Sequence, residues 1–214
     1  MPLSSYNGVG GDGPMKGWPA ERRVTLHPGE QYVTRRQDLM LSTLLGSCVA
    51  ACLYDPVARV IGMNHFLLAN HRYSRDVPVL ASEAGRYGVN AMELLINNML
   101  KAGAQRNNLK AKVFGGGNVL PGISREDSFF AIGDVNSRFV EEFLQTERIP
   151  ILAKSLGGIN GRMIHFLGND YSVYVRDIPR SKTFEVEQKE KQYWRSSLKR
   201  REEEAAKTGE IDLW

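Results

Sequence analysis

The strongest constraint on the fold is one apolar run, Leu39 to Tyr54 (LMLSTLLGSCVAACLY), interrupted only at Gly46-Ser47. A stretch this apolar has to be buried. Its β-branched and small residues, with a glycine in the middle, predict two strands joined by a sharp turn rather than one helix. Asp55-Pro56 ends the run as a turn, and Val60 to Leu68 (VIGMNHFLL) reads as the next strand. The second half of the run and this strand should form a hairpin.

The remaining pattern surrounds these strands with helices and further strands. Val24 to Val33 (VTLHPGEQYV) suggests two short strands about a Pro-Gly turn. Ser82 to Ala102 carries Val89, Met92, Leu95, Ile96, Met99 and Leu100 at helical spacing, with Gly103 as C-cap. Leu109 to Phe114 is a strand running into Gly115-Gly116-Gly117-Asn118. Asp134 is expected to cap a second amphipathic helix presenting Val135, Phe139, Val140, Phe143 and Leu144. Then follow a strand ILAKSL, a Gly157-Gly158 turn, and two strands, Arg162 to Leu167 and Tyr171 to Arg176, joined by a tight GND turn. The sum is an α/β sandwich of mixed, mainly antiparallel strands with two main helices.

Residues 1–23 are rich in Gly, Pro and Ser and read as disordered, 24–179 as one folded domain, and 180–214 as a charged tail, helical or disordered. With 42% hydrophobic and 24% charged residues the chain has the composition of a soluble domain. No run reaches the roughly 20 apolar residues of a membrane span, and the N-terminus lacks the apolar block of a secretory signal. A cytoplasmic protein with no direct membrane insertion is expected. The net charge of +4 comes largely from basic residues near the two ends, among them Arg22, Arg23, Lys199, Arg200 and Arg201, and reads as solvated tails. No nucleic-acid partner is expected.

The only cysteines, Cys48 and Cys52, lie four residues apart. In a strand that separates their Cα atoms by about 13 Å, against the roughly 4.4–6.8 Å a disulfide needs. Two cysteines without clustered histidines also make a poor zinc site, so no metal or cofactor is expected. Cys48 follows Gly46-Ser47, a turn that can project a nucleophile and support an oxyanion. If the hairpin about Asp55-Pro56 forms, His65 arrives near Cys48 at its open end, where an imidazole can activate the thiol. Thr43 or Ser42 can hold the other ring nitrogen. Set against this, buried cysteines are usually packing residues, and Cys52, deeper in the strand, is read that way. His27, His71 and His165 read as structural or surface residues. The glycines at 115–117 lack the spacing and the lysine of phosphate-binding loops and suit a close backbone approach instead.

In order along the chain, TLLGSCVAACLYDP, GMNHFLL, RYGVNAMELLINNMLKAGA, KVFGGGNVL, IGDVNSRFVEEFL and LGGINGRMIHF resemble the CheD family of chemoreceptor glutamine deamidases. The resemblance runs from about Leu26 to Arg176 and leaves out both tails. It implies a three-layer α/β sandwich and a Cys, His and Thr triad, which falls on Cys48, His65 and Thr43. Ser42 beside Thr43 leaves that third assignment open, because in a regular strand Ser42 shares the face of Cys48. The implied reaction converts glutamine side chains of methyl-accepting chemoreceptors to glutamate with release of ammonia through a Cys thioester. Gly46 and Ser47 would support the oxyanion turn.

A receptor helix as substrate implies a shallow, open groove. Its candidate borders are Asn64, Gly115, Gly116 and Asn118, the 115–122 loop, and residues 70–81, with Arg72, Arg75 and Arg86 meeting acidic receptor faces. The resemblance also implies a possible CheC-like phosphatase partner, and a non-catalytic adaptor binding receptors or that phosphatase is the rival reading. A papain-like peptidase fits less well, since a cysteine-to-histidine separation of seventeen positions is far too short.

Overall fold

The computed structural model describes residues 18–68, 83–118 and 130–179, the strand placement of Ser4–Ser5, and Gln188, Gln192, Tyr193, Arg195, Ser196 and Lys199. In chain order the elements are β1 (Ser4–Ser5), a 3-10 turn (Ala20–Arg22), β2 (Arg23–Thr25), β3 (Gln31–Thr34), β4 (Met40–Leu45), β5 (Val49–Asp55) and β6 (Val60–Asn64). They continue with α1 (Glu83–Lys101), a 3-10 turn (Arg106–Asn108), β7 (Lys110–Gly115), α2 (Phe130–Thr146), β8 (Ile151–Leu156), β9 (Gly161–Leu167) and β10 (Val173–Ile178).

The strands form two five-stranded sheets, β1-β10-β9-β4-β2 and β3-β6-β5-β7-β8. Parallel pairing joins β1 to β10, β2 to β4 and β7 to β8, and the other neighbours are antiparallel. The α/β architecture is therefore mixed and mainly antiparallel, as the sequence implies.

Strand β5 shows why the apolar run has no polar face. All seven of its residues are buried, because each side of the strand meets a different layer. Val49, Ala51 and Leu53 pack with Met92, Leu95, Ile96 and Met99 of α1 and with Phe139, Val140 and Phe143 of α2. Ala50, Cys52 and Tyr54 face the other way and pack with Leu41, Leu45, Ile164 and Phe166 of the first sheet. The layers thus run sheet, sheet, helices, and the two halves of the run belong to different sheets. Gly46-Ser47 is the crossing point between them. In β4 the period-two alternation sends Leu41, Thr43 and Leu45 inward and Met40 and Ser42 outward, where Met40 packs with Leu167, Trp18 and Tyr174.

Several elements differ from the sequence expectation. Helix α2 begins at Phe130, so Asp134 lies inside it rather than capping it. The added turn carries Ile132, which is buried in the cluster between the sheets; its burial favours the longer helix. Within the stretch expected to be disordered, Ser4–Ser5 pairs with β10, and Trp18 packs on Met40 and Leu167. The expectations for residues 70–81, including His71, Arg72 and Arg75, for 119–122, and for most of 180–214 lie outside the described residues.

Candidate active site

The β5–β6 hairpin sets the register that matters here. Cys52 stands opposite Met63 and Leu53 opposite Gly62, and a further bridge pairs Val49 with Phe66 in the same register. Val49 and Phe66 exchange both backbone bonds, at 3.0 and 2.9 Å. Carried one step further, the register sets Cys48 across from Leu67 and His65 across from Ala50. Cys48, Ala50, Met63 and Leu67 all pack in the cluster between the sheets. Cys48 and His65 are therefore diagonal neighbours on one face, a relation that places Cα atoms about 7–8 Å apart, within side-chain reach.

His65 is fixed at both ends. Its backbone N–H donates to Glu30 C=O (2.9 Å), and its C=O accepts from Gly29 N–H (2.7 Å). Its ring Nδ1 lies 2.7 Å from Thr43 Oγ1. The Thr43 hydroxyl donates its single proton to Leu26 C=O (2.8 Å), so it can only accept from the imidazole. That assigns the proton to Nδ1 and leaves a lone pair on Nε2. Among the described residues Nε2 is buried without a hydrogen-bond partner. Burial is the main cause that drives the imidazole pKa down to about 3, with the Leu26 carbonyl opposing it. The ring rests neutral at physiological pH. An orphaned acceptor this deep costs about 1–3 kcal/mol, so its place beside Cys48 calls for an explanation.

Ser42 points the opposite way. Its Oγ lies 2.8 Å from His165 Nδ1, directly across the β4–β9 pairing on the outer face of the first sheet. Counting faces from Ser42 to Cys48 goes wrong because β4 ends at Leu45 and the chain changes sheets before reaching Cys48. The structure brings Thr43, and not Ser42, to His65.

The turn carrying Cys48 is held from below. Gly117 N–H donates to Gly46 C=O and Gly116 N–H to Cys48 C=O, both at 2.7 Å. Gly115 has φ +116°, and a Cβ there would run into the Cys48 carbonyl. Gly115 and Gly116 thus support the turn from within the core rather than bordering a groove. Asn64 also sits away from the Cys48 face. Its Oδ1 accepts from Ala51 N–H (3.0 Å), and its amide turns to Ala91 C=O and Met92 Sδ on α1. Asn118 donates its N–H to Gly158 C=O (2.7 Å), while its Oδ1 is buried without a partner among the described residues. Arg86 is exposed on α1.

Neither cysteine forms a disulfide. Burial pushes the Cys52 thiol far up, with Lys112 opposing, so Cys52 is a packing residue. A shallow, open groove at Cys48 is not what the structure shows: Cys48 is 0% and His65 1% exposed. The pair lies between two sheets, and Tyr193 of the C-terminal segment packs on the same cluster. Its hydroxyl meets that of Tyr87 at 2.6 Å, and a Cβ on Gly29 would collide with its ring.

Sequence reasoning missed two contributors, the Leu26 carbonyl and Asn136. From α2, Asn136 donates to Ser47 C=O (2.8 Å) and accepts from Leu68 N–H (2.8 Å). The signal was an asparagine at helical spacing from Ile132 and Val140, on the buried face of the helix.

A cysteine on a tight turn beside a neutral imidazole that a threonine orients is a candidate thiol–imidazole site. The family model described as CheD chemotactic sensory transduction matches residues 68–177. A probable chemoreceptor glutamine deamidase CheD 1 of Geobacter sulfurreducens is 46% identical over 191 residues, covering 89% of this chain and 93% of its own. A probable chemoreceptor glutamine deamidase CheD 2 of Shewanella oneidensis is 55% identical over 152 residues, covering 71% of this chain and 74% of its own. The same organism's probable chemoreceptor glutamine deamidase CheD 1 is 47% identical over 170 residues, covering 79% of each chain. This chain belongs to the CheD family. No helix among the described residues is long and apolar enough to cross a membrane.

Proposed function

We propose that this protein is a cytoplasmic protein-glutamine deamidase that converts glutamine side chains on the helices of methyl-accepting chemoreceptors to glutamate. The observation that carries the reading is the orientation of His65: Thr43 accepts a hydrogen bond from its Nδ1–H, and the Nε2 lone pair, without a partner among the described residues, shares a buried face with Cys48. The names of the relatives support the substrate class.

The steps follow from that arrangement. His65 Nε2 takes the Cys48 thiol proton as the sulfur attacks the carboxamide carbon, forming a tetrahedral oxyanion beside the Gly46–Cys48 turn. Because burial disfavours the imidazolium, proton transfer accompanies attack, and a resting thiolate–imidazolium pair is not required. The imidazolium then protonates the leaving nitrogen, the C–N bond breaks, and ammonia departs from the thioester. Water enters, gives a proton to Nε2 and attacks the thioester carbon. The C–S bond breaks, the thiol regains its proton, and glutamate is left. Since both residues are buried, chain over the site has to move aside when a receptor helix docks.

The test is to incubate the wild type and Cys48→Ala with a chemoreceptor cytoplasmic fragment and follow ammonia and glutamine-to-glutamate mass shifts. Loss of conversion in the variant supports the reading. Undiminished conversion removes it, and absence of conversion by the wild type, with receptor binding intact, leaves an adaptor that engages receptors or a CheC-like phosphatase.

A further inference from the structure

In an antiparallel ladder backbone-bonded pairs recur at every second position; between β5 and β6 the Ala51 N–H turns instead to Asn64 Oδ1, and the same register resumes beyond it. Val49–Phe66 is one such pair, and the shared register makes Ser47–Leu68 the next. There the ladder is interrupted a second time. The Asn136 carboxamide stands between the strands, accepting from Leu68 N–H and donating to Ser47 C=O, each at 2.8 Å. Ser47 and Leu68, which would bond directly in an unbroken ladder, are held apart by the width of an amide. Cys48 sits in the loop so formed, with the Val49–Phe66 bridge on one side and the Asn136 bridge on the other.

The bridge also fixes the orientation of a peptide plane. No peptide bond among the described residues is cis, so the Ser47 C=O and the Cys48 N–H point in opposite directions. Holding the carbonyl on Asn136 sets the direction of the N–H on the nucleophile's own residue, and the Gly116 bond to the Cys48 C=O fixes the following peptide. Asn136 has 0% exposure. Both halves of its carboxamide are used, so it locks the flanks of the cysteine and histidine positions to one rigid helix.

We infer that Asn136 is a positioning residue for the reaction: it sets the Cys48 turn against the His65 strand and orients the Ser47–Cys48 peptide for the transition state. This rests on the deamidase reading above. An aliphatic residue of similar size would leave Ser47 C=O and Leu68 N–H without partners. An aspartate of the same shape keeps the acceptor. Its ionised form lacks the donor and repels the Ser47 carbonyl, while its protonated form restores both bonds.

The experiment compares wild type, Asn136→Asp and Asn136→Ala on the receptor fragment across pH, with Cys48→Ala as reference and thermal unfolding as the check on folding. For Asn136→Asp at neutral pH kcat should fall about 10- to 100-fold, from lost hydrogen bonds in a buried site. KM should change little, and kcat relative to wild type should recover as pH is lowered and the carboxyl protonates. Asn136→Ala should lose kcat without that recovery. The inference is overturned if both folded variants keep wild-type kcat, or if their losses only follow the unfolded fraction with no pH rescue. A Cys48→Ala protein that still converts glutamine defeats the deamidase reading instead, which separates the two failures.

Discussion

Thr43→Val isolates the contribution of one hydroxyl, because valine keeps the shape of threonine in a position with 0% exposure. Two hydrogen bonds disappear, the one donated to Leu26 C=O and the one accepted from His65 Nδ1–H. The two orphaned groups at about 1–3 kcal/mol each set an upper range of roughly 2–6 kcal/mol. The Leu26 carbonyl already bears on the imidazole, and once relieved of Thr43 it can take the Nδ1 proton directly. The stability loss should therefore lie at the lower end, about 2–3 kcal/mol. For the reaction, the ring loses its exact hold rather than its base, so about 1–3 kcal/mol of transition-state stabilisation is at stake, or about 5- to 150-fold in rate.

The assay is the initial rate of glutamine-to-glutamate conversion on a receptor fragment, corrected for the folded fraction from urea unfolding. Thr43→Ser is the control: it retains the hydroxyl and gives up one methyl, so its rate should stay within about threefold of wild type. Equal rates for wild type and folded Thr43→Val would refute the orienting role. So would an equal loss in Thr43→Ser, because that would assign the effect to the methyl.

Acid should destabilise the protein through His65. The unfolded imidazole titrates near 6.5 and the buried one at about 3, so between these values only the unfolded chain takes up the proton. The contribution is complete above 6.5, falls as pH drops and levels off near 3. Between about pH 7 and about pH 5 this removes about 2 kcal/mol; urea unfolding of His65→Gln should lack that component, and an unchanged slope would count against it. Gly115→Ala, which drives a Cβ into the Cys48 carbonyl at φ +116°, should cost about 2–4 kcal/mol; a change below about 1 kcal/mol would show that the loop yields easily. Cys52→Ser buries a hydroxyl in the inter-sheet core and should cost about 1–3 kcal/mol while the folded protein keeps its rate. A large loss of rate there would mean that Cys52 takes part in the chemistry.

What could be read from the sequence follows the length of the connections involved. Cys48 and His65 are joined through one hairpin closed at Asp55-Pro56, and pairing Asp55 with Val60 sets the register that Val49–Phe66 still keeps. A short turn and a period of two were enough to bring those residues to one face. The choice between Thr43 and Ser42 depended on something else: which side of β4 faces the second sheet. That is decided by pairing with β9, so that Ser42 meets His165 across 123 residues of chain. Face counting along the sequence cannot cross Gly46-Ser47, where the chain leaves one sheet for another. Asn136 is out of reach for the same reason, its two bonds spanning 89 and 68 residues. Its trace in the sequence is a polar side chain among Ile132, Val135, Phe139 and Val140, where burial without partners would be costly. Such a residue has to satisfy its amide on a remote backbone, and the backbone it reaches here is broken open at the cysteine.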